Sequence, residues 1–135
     1  MVVIFFTALL IGDGGLFLLV WNASVWGTIF AILAKAASSV AGKNPFIYFI
    51  LILLTVLPHM LLEAMSYFSA AGSGSIISQA FMREKLVSDK FVVVTLHSLW
   101  LLLLGLAFVI IGAYVETYVL FHAETYRLII SQSFG

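Results

Sequence analysis

Between Phe91 and Val115 the chain runs for 25 residues without an Asp, Glu, Lys or Arg. That stretch constrains the fold more than any motif, because hydrocarbon offers a backbone no hydrogen bonds and a helix satisfies its amides and carbonyls internally. At 1.5 Å per residue it rises about 37 Å, enough to cross a hydrocarbon core of about 30 Å with tilt. The remainder shares the bias: 64% of residues are hydrophobic and 9% are charged, against roughly 45–50% and about 25% in soluble domains. An integral membrane protein is the class implied.

A length of 135 residues allows about four spans in a single transmembrane domain. The expected fold is all-α, a polytopic membrane helix bundle of about four hydrophobic segments, near 1–12, 15–41, 46–72 and 91–116. A loop over 73–90 and a C-terminal tail over 117–135 complete the expectation. The first segment covers only about 16 Å and is half-length. Gly12-Asp13-Gly14-Gly15 follows it, and glycines that accept positive φ predict a turn or re-entrant break. Segment two carries Ala23, Gly27, Ala31, Ala34 and Ala36, small residues that let helix backbones approach closely in lipid. Gly42-Lys43-Asn44-Pro45 ends it, with glycine as the C′ residue and proline opening the next helix.

Formal net charge is zero and no basic block exists, so nucleic acid is not an expected partner. Absence of cysteine excludes disulfides, thiolate catalysis and sulfur-rich metal sites. The start, Met1 to Thr7, has no basic region and no small-residue cleavage site after its apolar run, so a removable signal peptide is not expected. Its abruptness suggests the C-terminal core of a longer protein, or an abbreviated relative of one. Lys/Arg residues divide evenly between the two sides; the compact Arg83/Lys85/Lys90 cluster places the Arg83–Lys90 loop in the cytoplasm of a multi-pass cell-membrane protein.

The third segment holds the chain's most expensive residues. From Phe46 to Leu57 there is no charge and one aliphatic hydroxyl, Thr55; Pro58, His59 and Glu63 then follow. Ionisable groups within a span are functional candidates by default. Pro58 removes an N–H from the Leu54 carbonyl and predicts a kink at that point. His59 and Glu63, four apart, share a helix face. They can form a polar clamp, with Glu63 accepting from the imidazole and His59 taking a backbone acceptor exposed by Pro58, or they can relay a proton or hold a cation. A metal site would need His97, Asp13, Asn22 or Glu116 to converge on them, and no His-Glu-x-x-His occurs. No cofactor is expected.

Other polar residues have plainer readings. Asn22 is expected to hold two helices in register or to satisfy irregular backbone near the Gly12 break. His97 is expected to face the bundle, and Glu116 and Tyr118 to form part of an interfacial belt. Gly72-Ser73-Gly74-Ser75 reverses the Gly-x-Ser-Gly order of rhomboid-type intramembrane proteases and reads as a helix-packing patch.

Three stretches together, Gly12-Asp13-Gly14-Gly15-Leu16-Phe17 running into Trp21-Asn22-Ala23-Ser24, then Leu57-Pro58-His59 with Glu63, and Gly112 to Tyr118, resemble the stage II sporulation protein M family, including its archaeal members. The central stretch is the most specific, and it departs from the family's usual Pro-His-Gly by placing Met60 where glycine is typical. The resemblance spans nearly the whole chain; family members usually carry a further N-terminal membrane segment and an extracytoplasmic stretch ahead of this core. It implies a membrane scaffold, as the sporulating bacterial member is for septal peptidoglycan-degrading partners, and carries no chemistry over from the archaeal relatives. The expected function is accordingly a non-catalytic membrane scaffold or assembly subunit, not an enzyme, with the lipid bilayer, other membrane proteins or a second copy as partners. The alternative is a small transporter or permease-like protein in which His59 and Glu63 handle a proton or cation.

Overall fold

The computed structural model describes residues 1–12, 14–42, 44–85 and 88–122, with Glu124, Arg127, Leu128 and Ser131 of the tail. Among these residues there are four helices and no strand: α1 (Val2–Ile11), α2 (Gly14–Ala41), α3 (Pro45–Arg83) and α4 (Asp89–His122). The last three are long and apolar enough to cross a membrane, whereas α1, with 10 residues, is a short apolar helix. The all-α membrane bundle with a half-length first segment is therefore the fold.

Junctions follow local chemistry. Gly12 ends α1 at φ 66 and ψ −108, a conformation open to glycine and strained for any side chain. Gly42 ends α2 with φ 64, its amide donating to the Ser38 carbonyl at 2.9 Å. Asn44 then caps α3, where the Phe46 amide donates to Asn44 Oδ1 at 2.9 Å and Pro45 occupies the first helical position, which needs no N–H.

The boundaries of the last two helices differ from expectation. Residues 73–83, expected in a loop, continue α3 to Arg83, and α4 runs from Asp89 to His122, into the expected tail. Helix propensity disfavours Gly and Ser, yet packing overrides it in lipid, where small residues admit a neighbouring backbone. A Cβ built on Gly74 would overlap the Phe5 carbonyl and lie 2.9 Å from both Ala8 Cβ and the Leu9 nitrogen of α1. That patch of α3 is the seat of α1. Ser88 caps the start of α4, its Oγ accepting from the Phe91 amide at 3.2 Å, and Asp89 places negative charge in the first turn, where the helix dipole favours it. Pro58 lies inside α3, which is helical on both sides of it.

The chain packs as two compact units: one of residues 1–21 and 62–111, the other of 22–61 and 112–135. In the first unit, Ile4 and Ala8 of α1 bury against Ala70 and Ala71 of α3, flanked by Phe5, Leu18, Tyr67 and Leu102. Gly15 brings α2 close, its built Cβ falling 3.0 Å from Ala8 Cβ and 3.2 Å from Ala71 Cβ. α3 and α4 meet through serines. Ser73 Oγ donates to the Ser98 carbonyl at 2.7 Å and Ser98 Oγ donates to the Ser73 carbonyl at 2.6 Å. Seven residues along each helix, Gly105 packs against Ser66, a built Cβ lying 3.1 Å from the Ser66 carbonyl.

The second unit has a core of Phe30, Ala34 and Ala37 on α2 against Tyr48 and Ile52 on α3. In both units large side chains point outward: Leu10 and Tyr114 are 80% exposed and Trp100 is 71% exposed, while Ser66 and Ser73 are wholly buried. Small residues inside and bulky apolar ones outside suit a chain whose solvent is lipid, since helices in hydrocarbon associate through close packing and hydrogen bonds.

Candidate functional site

In the second unit the His59 imidazole reaches from α3 to α4. Its Nδ1 lies 3.0 Å from the Gly112 carbonyl oxygen. Because a carbonyl only accepts, Nδ1 carries the proton. Gly112 is buried, and its missing side chain allows a ring to approach the α4 backbone. The same residue spacing of seven that separates Ser98 from Gly105 separates Gly105 from Gly112, and on α3 it separates Ser73, Ser66 and His59. His59 thus occupies a position of the kind that serines fill elsewhere along α3.

Glu116 follows Gly112 by one helical turn, which brings its carboxylate to the same ring. Its Oε2 lies 3.8 Å from His59 Nε2, with the two side chains 51% and 17% exposed. Glu116, expected in an interfacial belt, is the acidic neighbour of His59. Beside the pair is a cleft of about 60 Å³. Trp26 and Phe30 of α2 line it with Thr55 and Met60 of α3 and Val119 of α4, and the two aromatic ring centroids are 5.6 Å apart. The Thr55 hydroxyl donates to the Leu51 carbonyl at 2.7 Å. Met60, the departure from the Pro-His-Gly pattern, supplies part of this wall and packs against the Phe30 cluster.

Glu63 belongs to the first unit, where it accepts a hydrogen bond from the Tyr67 hydroxyl one turn later on α3. Both residues are half-buried. The Glu63-x-x-x-Tyr67 spacing contained that bond, since residues four apart share a face. Pro58 is exposed on α3. Its neighbour His59 directs Nδ1 to Gly112 of α4, so the backbone acceptor it occupies is supplied by another helix and not by the turn that Pro58 opens.

The remaining candidates lie apart from these. Gly12 serves the α1–α2 turn, and Asp13 lies outside the described residues. Asn22 is half-buried on α2. His97, expected to face the bundle, is exposed, its Nδ1 proton going to the Val93 carbonyl of its own helix at 2.8 Å; the inward position belongs to Ser98. Among the described residues, no three His, Asp or Glu side chains gather as a metal site would need.

No family model matches the chain, and neither a curated protein nor a solved structure matches it.

Proposed function

We propose that the chain is a non-catalytic membrane scaffold or assembly subunit, of the kind its resemblance to stage II sporulation protein M implies. The observation carrying this reading is the reciprocal Ser73–Ser98 pair: two fully buried hydroxyls spend their protons on the facing helix backbone. Polar groups in lipid are expensive, and these two fix a helix–helix register. The Gly74 contact that seats α1 has the same character. Closely packed helices with outward apolar side chains can hold neighbours in place. Its partners are other membrane proteins or a second copy.

Photocrosslinking in native membranes tests this. A crosslinking phenylalanine analogue at outward Trp100 or Tyr114 is expected to give discrete protein adducts, while the same analogue at inward Ser98 gives none from a partner. Lipid adducts alone, together with saturable proton or cation flux in proteoliposomes, would defeat the scaffold reading.

Cell-membrane placement with residues 83–90 in the cytoplasm is part of the proposal. The chain has no cysteine, so a single Lys85→Cys variant gives a clean topology probe. An impermeant maleimide should label it in inverted vesicles and leave it untouched in intact cells.

A second reading, cation handling by a permease-like protein, is favoured by the placement of His59 and Glu116 beside a cleft. Solute flux into proteoliposomes, lost in Glu116→Gln, is the measurement that supports it.

A further inference from the structure

A second seam runs along the exposed side of α4. Val93, His97, Trp100, Leu104, Ala107 and Ile111 are all exposed, and they follow one another at alternating steps of four and three. That alternation places residues on a single stripe, the pattern by which one helix meets another. It differs from the stripe α4 presents to α3, which runs through Ser98 and Gly105.

Aliphatic residues on such a stripe suit lipid, but His97 and Trp100 do not. They lie six and nine residues beyond Phe91, in the stretch without Asp, Glu, Lys or Arg, about 9 Å and about 14 Å along the axis. Tryptophan is enriched at the ends of a span, where its N–H meets the interface, whereas hydrocarbon offers a polar group nothing to bond. The Nδ1 proton of His97 goes to the Val93 carbonyl at 2.8 Å, so in the neutral ring Nε2 is an acceptor. The indole N–H of Trp100 only donates. A donor and an acceptor thus sit one turn apart on one exposed face.

A two-fold interface asks for that self-complementarity, since residue i of one copy meets residue j of the other and j meets i. In a parallel pair of helices, the hole that receives His97 is made by the second copy's Val93, Leu96, His97 and Trp100. Helical side chains lean toward the N-terminus, which brings the indole to the level of the imidazole. We propose that a second copy of this chain packs along this seam of α4, with Trp100 Nε1–H of each copy donating to His97 Nε2 of the other. The interface rests on the scaffold reading and gives it a partner and a surface.

The test is energy transfer between dye-labelled copies of the full chain in phosphatidylcholine vesicles, at varied lipid-to-protein ratio. Since the chain has no cysteine, a Lys85→Cys background carries the dye. Transfer that saturates with protein density and reverses on dilution with lipid is expected. Trp100→Phe, which keeps a ring and loses the N–H, and His97→Leu should each weaken association about eightfold, the effect of losing two average polar contacts between membrane helices. Leu106→Ala, exposed on another side of α4, should change nothing. Mixing the two seam variants restores one complete pair, Trp100 of the His97→Leu copy with His97 of the Trp100→Phe copy. That heterodimer should associate about threefold more tightly than either variant alone. Transfer no greater than random proximity in the natural chain, equal weakening in Leu106→Ala, or no gain on mixing would overturn the proposal. Copies that stay monomeric while position 114 still crosslinks to other proteins lose this interface and leave the scaffold reading intact. Association accompanied by saturable proton or cation flux, with lipid adducts alone, keeps the interface and removes the scaffold.

Discussion

Replacing Ser73 and Ser98 by alanine, singly and together, asks how two serines hold α3 to α4. Each hydroxyl donates to the other residue's carbonyl, at 2.7 Å and 2.6 Å, and the two oxygens lie 2.9 Å apart. Both carbonyls belong to helices and keep their own amide donors, so a single substitution deletes one bond and orphans no acceptor. Polar contacts between membrane helices average about 0.6 kcal/mol and reach about 1.7. Ser73→Ala and Ser98→Ala are each expected to cost about 0.6 kcal/mol, and the double variant about 1.2, because the two bonds are separate. Were the oxygen-to-oxygen contact the principal bond, either substitution would remove it and the double variant would cost no more than one single. Equilibrium unfolding in mixed micelles with increasing SDS fraction measures all four free energies. Equal costs for the two singles and the double would refute the reciprocal arrangement.

Two glycines on α3 should respond oppositely to alanine. Gly74→Ala drives a methyl into the α1 backbone and should cost about 1–3 kcal/mol, as overpacking does, whereas at Gly72 the added carbon meets only Leu101 Cδ2 at 3.4 Å and should be neutral or stabilising by up to about 1 kcal/mol through helix propensity; SDS unfolding of both variants decides it. Gly12→Ala should cost about 1–2 kcal/mol in the same assay, since φ 66 strains any side chain, although a Cβ there meets no atom within 4 Å. Ser66→Ala should stabilise by about 1 kcal/mol, because Ser66 Oγ is buried with no hydrogen-bond partner among the described residues and the alanine removes that desolvation cost; a lower SDS midpoint for the variant would contradict this.

Composition made the membrane class legible, and glycine and proline made the turns legible, because Gly12, Gly42 and Pro45 each act through backbone geometry that is local to them. Helix facing was harder to read. In water the apolar stripe marks the buried side, but in lipid bulky residues cover the outside and that signal disappears. His97 and Ser98 are adjacent, and polarity alone favoured the histidine as the inward residue; the spacing of Ser98, Gly105 and Gly112, seven apart, was the better guide. The same spacing would have brought Glu116, one turn past Gly112, toward His59. Residues 73–83 were hidden for another reason: glycine and serine signal a loop by propensity, whereas here they let α1 approach Gly74 and α4 approach Ser73.

The seating of α1 has a consequence for biosynthesis. Ten residues rise about 15 Å, half the depth of hydrocarbon, so α1 has no stable transbilayer state of its own. Its resting place, the bare backbone around Gly74, is made some sixty residues later in translation. α1 is thus synthesised well before its seat exists, and until α3 arrives it must wait at the membrane surface or beside an insertion factor.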